Sequence, residues 1–582
     1  MVVLLSAGQA CGEAGPAAPS AELLLGKSEG GQSLSILSSE KTPAMARATA
    51  LWKEFLSDRK VKALVAEGAP APQGPVMVFE TLANAPVAAQ AGVDLGKLKD
   101  ARDEAHLIVA REWNGRPLVL VVGKTDRGAE AGAWQLLSRV VYRGRNPDAK
   151  GVYHEMEIAI PPFEEFRAPL VPTREVFLDP PESYYPDEVP DSSWIRQKVN
   201  YENWSEKQLT DYVRYFRACG FNSIQVFEAQ WRTWPGKRKS VAPVLHTLAR
   251  AAHQNGMTVT LYIWTIDYFV GWEDPKQQEE TKKRYVDLAK EYGADVDHID
   301  THWFDPGPGG YAVPQEATIF LWREFQKYNP AVKVTIDTWN NKTFWEGDKR
   351  MKTLLDETFS PKEVGIALPG YGHSEARCDP AQVDAVAKSG RRLGIWGWYL
   401  CDEEMAFGTT LHKLQTIPTQ LRGLLTTAGK GLDWISVERS WHALPSDINL
   451  YVAGQELWAP QRSLDEHVLS YCRAVYGPDL AEKVATVYQA HSKADIIYKR
   501  KDFPKLKDEA LAALKTLQSM KRQAPEDYPP GTWRIQKGYR AWKTNFPTAD
   551  TPEGYLETLE AGLREIVAGA LLQTQPPPED KE

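Results

Sequence analysis

The sequence predicts a (β/α)8 barrel, with a small α/β domain before it and a helical region after it. Three observations predict this. Eight short apolar runs recur between residues 171 and 460, amphipathic helical stretches alternate with them, and the blocks on either side lack that beat. At 582 residues the chain is too long for one ordinary core. A doubly wound open sheet is the rival architecture, because periodicity alone does not show closure.

In chain order, residues 1–29 hold a short apolar stretch and then a tract rich in Gly, Ala, Pro and Ser. This reads as a disordered segment or the remnant of a secretory signal, which points to a secreted or periplasmic protein. Residues 30–170 form a small α/β domain. In it "PAMARATALWKEFLSD" and "RGAEAGAWQLLSRVV" have helical periods, while "AHLIVARE" and "RPLVLVVGK" read as strands joined by an Asn-Gly hairpin turn. Residues 171–460 form the barrel. Its strands are expected at Glu175–Asp179, Ser223–Glu228, Thr258–Trp264, Val296–Asp300, Lys333–Asp337, Gly365–Leu368, Leu393–Tyr399 and Asp433–Val437. Helical stretches such as "SEKQLTDYVRYFRACG" and "DPKQQEETKKRYVDLAKEYG" separate them, opening at Ser, Asp or Pro and closing at Gly as caps require. Residues 461–582 read as further helices, and the "QPPPEDKE" tail as disordered.

Composition narrows the function. A net charge of −8 argues against a nucleic-acid partner, whose footprint would be basic. No apolar run reaches the ~18 residues of a membrane span. The five cysteines show neither disulfide nor metal spacing. No glycine-rich phosphate loop follows a strand, and no nucleophile elbow is present. The 20 Trp and 23 Tyr supply flat faces with polar edges, which suit sugar rings as well as cores.

In a barrel of this kind the C-terminal strand ends converge on one face. Those ends carry Glu228; Trp264 and Asp267; Asp300, His302, Trp303 and Asp305; Asp337 and Trp339; Tyr371 and His373; Trp396, Trp398, Asp402 and Glu403; and Glu438 and Arg439. One acid at a strand end often only caps the next helix. Acids and aromatics at nearly every end fit a pocket that stacks sugar rings and cleaves between paired carboxylates. Asp300, Asp305, Asp402 and Glu403 are the expected catalytic acids. Trp303, Trp339, Trp396 and Trp398 are the expected walls, and Glu228, Asp267, His302 and Asp337 the expected binders of hydroxyls. Arg232 or Arg439 would clamp a uronic carboxylate. No cofactor is expected. Asp300, His302 and Asp305 also have the chemistry of a divalent-metal site, which gives a metal-dependent carbohydrate-active enzyme as one alternative. A non-catalytic carbohydrate-binding barrel is another. Burial is the expected state of Cys401. The expected partner is a carbohydrate; homo-oligomerisation stays open.

The passages "DEAHLIVAREWNGRPLVLVVGKTDRGAEAGAWQLLSRV" (103–140) and "DINLYVAGQELWAPQRSLDEHVLSYCRAVYG" (447–477) resemble glycoside hydrolases of the clan that includes α-glucuronidases and β-N-acetylhexosaminidases. That resemblance implies an α/β domain, a (β/α)8 barrel and a helical C-terminal region. It also implies an acid near strand four, at Asp300 or Asp305, with Asp402 or Glu403 opposite. The adjacent Asp-Glu pair that β-hexosaminidases carry after strand four is absent here, which argues against an N-acetyl-assisted mechanism.

Overall fold

The computed structural model describes residues 22–28, 33–65, 74–147, 153–178, 205–228, 242–263, 269–302, 315–338, 355, 362–370, 380–397, 404–406, 409–411, 414–438, 446–459, 461–476, 478–521 and 552–574.

The leading domain is built on a six-stranded sheet. Its order is Ala63–Val65, Leu34–Ser38, Val76–Thr81, Arg116–Gly123, His106–Trp113 and Phe163–Arg167. The first four strands are parallel and the last two run against their neighbours. The expected hairpin is present. Asn114 (φ 53°) and Gly115 (φ 72°) both occupy the left-handed region, as a two-residue turn matched to the strand twist requires. Thr42 caps the helix Pro43–Ser57 by accepting from the Met45 amide at 3.3 Å. The second predicted helix is shorter than its apolar period, ending at Leu136; Val141 already opens a strand. That strand, Val141–Pro147, pairs with Tyr153–Ile160, which in turn pairs with Leu23–Lys27. Leu23–Lys27 is therefore a strand of the folded domain, although the sequence reading placed it in the N-terminal tract.

The barrel is closed, and the doubly wound alternative falls. Eight parallel strands run Thr173–Leu178, Ser223–Glu228, Thr258–Ile263, His298–His302, Lys333–Asp337, Gly365–Pro369, Leu393–Gly397 and Leu432–Glu438. They are numbered one to eight here; strand one pairs with both strand two and strand eight. Parallel strands are covered on both faces, so most of their outward positions are expected to be apolar. Val176, Val226, Leu261, Ile299, Ile336, Leu368, Ile395 and Ile435 meet that demand and are all fully buried in the main core. Each contributes roughly 1.5–3 kcal/mol of burial. The helices Glu206–Cys219, Ala242–Gln254, Pro275–Tyr292, Gln315–Gln326, Pro380–Ser389 and Ile417–Ala428 supply the outer ring. Asp274 caps Pro275–Tyr292, its carboxylate accepting from the Lys276 and Gln277 amides, with Pro at the first helical position. The predicted helix around residues 349–359 lies outside the described residues, apart from Leu355.

Beyond the barrel, Ser446–Glu456, Leu464–Tyr476, Pro478–Lys499, Phe503–Lys521 and Pro552–Thr574 are helices, most packed against the next in sequence. A buried polar junction locks this region and the leading domain to the base of the barrel. Arg174 at the start of strand one pairs with Glu104, donates from Nε to the Gly220 carbonyl at 2.9 Å, and lies 4.5 Å over the Trp458 ring. Trp458 Nε1 donates to the same carbonyl at 2.7 Å. Arg167 reaches across to Gln455 at 2.8 Å.

Candidate active site

The lumen is where this barrel departs from the branched aliphatic filling usual for the fold. Side chains alternate along each strand, so every residue beside an outward one faces in. By pairing register these inward residues stack in layers. Ser223, His298, Gly365 and Trp434 are lowest, and Glu175, Thr260, Thr335 and Gly394 lie above them. Gln225, Asp300, Ala367 and Ser436 come next, and then Phe177, Tyr262, Asp337 and Trp396. From Glu175 upward the lumen-facing positions of the described strands carry carboxyls and no Lys or Arg.

Three of those carboxyls, Glu175, Asp300 and Asp337, are fully buried in successive layers. Glu175 Oε2 accepts from Ser223 Oγ at 2.8 Å and from Thr260 Oγ1. Burial outweighs these hydroxyls and pushes the Glu175 carboxyl up to about 7. Asp300 Oδ2 accepts from Gln225 Nε2 at 2.8 Å, and Oδ1 has no hydrogen-bond partner among the described residues. Burial first, then the charges of Asp337 and Glu175, hold Asp300 well above the usual carboxylate range. Buried carboxyls whose charges oppose one another in this way, with no Lys or Arg at the lumen-facing positions of the described strands to serve as the cation, do not all ionise. His298 does not supply the cation. Its Nδ1 lies 3.3 Å from Thr260 Oγ1 and its Nε2 2.5 Å from Thr335 Oγ1. Burial, with Arg392 and Lys333 adding to it, keeps the imidazole well below its ordinary value and so neutral.

The aromatic layer lies nearer the mouth. Tyr262 and Trp396 are stacked, 5.4 Å between centroids and 14° between planes, and Phe177 meets both edge-on at 5.6 and 5.8 Å. Asp337 shares this level; it ends strand five in register with His302, two residues beyond Asp300.

The structure thus brings together Asp300, Asp337 and Trp396 of the residues singled out in the sequence. Trp396 is wholly buried and donates from Nε1 to Gln225 Oε1 at 3.3 Å. Glu228 is on the opposite pleat. It faces the outer helices, where its carboxylate accepts from Tyr292 OH at 2.6 Å. His302 and Glu438 end strands four and eight, their side chains lying outside the described part of the structure. Trp264, Asp267, Trp303, Asp305, Trp339, Tyr371, His373, Trp398, Asp402, Glu403 and Arg439 lie outside the described residues, as do Arg232 and Cys401. Among the described residues no three His, Cys, Asp or Glu side chains converge as a metal site.

Sequence reasoning missed Glu175, Gln225 and His298 because it looked only at strand ends. The signal was present as parity: these polar residues alternate with the outward Val176, Ile224 and Ile299.

No protein-family model matches the chain, and no curated protein does. Solved structures do. A GH138 enzyme targeting pectin rhamnogalacturonan II superposes with a TM-score of 0.55 at 9% identity, over 93% of this chain and 88% of the other. A family GH115 4-O-methyl-α-glucuronidase with specificity for decorated arabinogalactans gives 0.55 at 13% identity, over 93% and 76%. CpGH84D gives 0.51 at 10% identity, over 95% and 91%. Identities this low speak for the fold alone. The chain has the fold of these glycoside hydrolases: a (β/α)8 barrel set between a leading α/β domain and a helical region.

Proposed function

We propose that the protein is a glycoside hydrolase that removes a terminal sugar from an oligo- or polysaccharide at the C-terminal mouth of its barrel. The observation that carries this reading is the buried pair Asp300 and Asp337, in adjoining layers beside the Phe177–Tyr262–Trp396 aromatic level. Burial and the opposing charge of Asp337 keep the proton on Asp300, which gives a neutral acid with a second carboxyl in the next layer. Glycosidic cleavage needs that asymmetry: a proton for the leaving oxygen, and a carboxylate for the anomeric carbon or its attacking water. Asp300 keeps the proton, and Asp337, ending its strand, is the member nearer the mouth. Asp305, Asp402 and Glu403 are the further carboxylates proposed to meet the sugar. Among the neighbours, the enzyme described as a 4-O-methyl-α-glucuronidase favours a uronic acid as the sugar. Arg232 or Arg439 would then clamp its carboxylate.

The test is a panel of aryl glycosides and glucuronides, assayed with and without a chelator, on the wild type and on Asp300→Asn, Asp337→Asn, Asp305→Asn, Asp402→Asn and Glu403→Gln. The expected result is chelator-insensitive release from one sugar class. At least two of the substitutions should cut kcat by roughly 10²–10⁴ while sugar binding persists. Binding without turnover by the wild type would replace the hydrolase with a carbohydrate-binding barrel. Loss of activity on chelation would instead favour metal-dependent chemistry.

A further inference from the structure

We propose that Gln225 is a positioning residue for this site: it ties the Trp396 ring to the Asp300 carboxyl and fixes which Asp300 oxygen carries the proton. The proposal rests on the reading of Asp300 and Asp337 as the acid–base pair.

Gln225, on strand two, is fully buried in the lumen, where its amide reaches side chains of strands four, seven and eight. An indole N–H can only donate. Trp396 Nε1 stands 3.3 Å from one end of the Gln225 amide, so that end is the oxygen; the Ser436 hydroxyl donates to it as well, at 3.4 Å. The amide is therefore oriented by its surroundings, and its NH2 faces Asp300 Oδ2 at 2.8 Å. Of the two oxygens of a neutral carboxyl the carbonyl is the stronger acceptor, and the hydroxyl would find nothing to donate to in an NH2 group, so Oδ2 is the carbonyl oxygen. The Asp300 proton accordingly sits on Oδ1, the oxygen with no partner among the described residues. Trp396 also stacks on Tyr262 and meets Phe177 edge-on.

Two substitutions test this. Gln225→Leu removes both ends of the link at similar volume. Gln225→Glu keeps the shape and makes the link depend on pH. When protonated, the new side chain has a C=O to accept from Trp396 and Ser436 and an O–H to donate to Asp300; when ionised it has no donor. The proposal expects Gln225→Leu to lower kcat roughly 10²-fold at every pH, as misplaced reacting groups do, with KM nearly unchanged. Gln225→Glu should lose as much at pH 8 and recover toward wild type by pH 5. Should leucine prevent folding, the glutamate variant alone decides. Wild-type kcat in Gln225→Leu, or a Gln225→Glu loss that does not recover at low pH, overturns the proposal.

A measurement without substrate separates this proposal from the hydrolase reading. Infrared difference spectra identify the protonated Asp300 carbonyl band as the one lost in Asp300→Asn. In Gln225→Leu that band should move to higher frequency, because Oδ2 has lost its donor. An unmoved band overturns the role given to Gln225. A moved band in a protein that hydrolyses no glycoside upholds that role and sinks only the hydrolase reading.

Discussion

Glu175→Gln offers a quantitative check on the buried lumen. The Glu175 carboxyl is fully buried and titrates at about 7, against 4.5 for an unperturbed glutamate. Below pH 4.5 the folded and unfolded chains both hold the proton, and this group costs nothing. As pH rises toward 7 the unfolded chain releases it while the folded chain keeps it, so stability falls. Above 7 both are ionised and the loss is complete. The interval from 4.5 to about 7 spans about 2.5 pH units at about 1.4 kcal/mol each, or about 3 kcal/mol in all. Glutamine keeps the shape and still accepts from Ser223 and Thr260, but it does not titrate. The assay is thermal and urea unfolding of wild type and variant from pH 4.5 to 8, compared as a difference at each pH. The variant should match wild type within experimental error near pH 4.5. It should gain progressively on wild type up to pH 7, by a few degrees in Tm for a chain of this size. A difference that stays flat across that window would refute the claim that burial keeps this carboxyl protonated.

Two other substitutions probe the scaffold. Arg174→Met removes the main cation facing the half-buried Glu104 and leaves it, among the described residues, Asn222 at 3.1 Å and Arg217 at 3.8 Å; a loss of about 2–4 kcal/mol is expected in denaturant unfolding, and much of it should return in the double variant with Glu104→Gln. Gly394→Ala would place a methyl 2.1 Å from the Trp434 ring inside the barrel, so a loss of about 1–3 kcal/mol should appear as a lower urea midpoint, whereas an unchanged midpoint would mean that the ring has room to move.

The legible parts of this molecule were those encoded locally. The Asn114-Gly115 turn, the Asp274 cap and the alternation of strand with helix all follow from residues within a few positions of one another. Strand limits were less well marked. Strand four was expected at Val296–Asp300 but runs His298–His302; the Val296 carbonyl accepts from the Asn329 side chain at 2.8 Å rather than from a neighbouring strand. The candidate site was only half legible. Asp300, Asp337 and Trp396 were found at strand ends, but Glu228 was grouped with them although its carboxyl turns outward to Tyr292. One residue of parity separates the two outcomes, since Phe227 beside it faces the lumen.

By itself, then, the sequence determined the order of elements and the class of fold, because hydrophobic period, caps and turn chemistry act over short stretches of chain. Tertiary structure alone decided that strand one meets strand eight, and which pleat of each strand faces the axis. Ring closure carried Glu175, Asp300 and Asp337 from three separate stretches of chain into one buried column. There, burial and mutual repulsion, rather than residue type, hold the protons on Glu175 and Asp300.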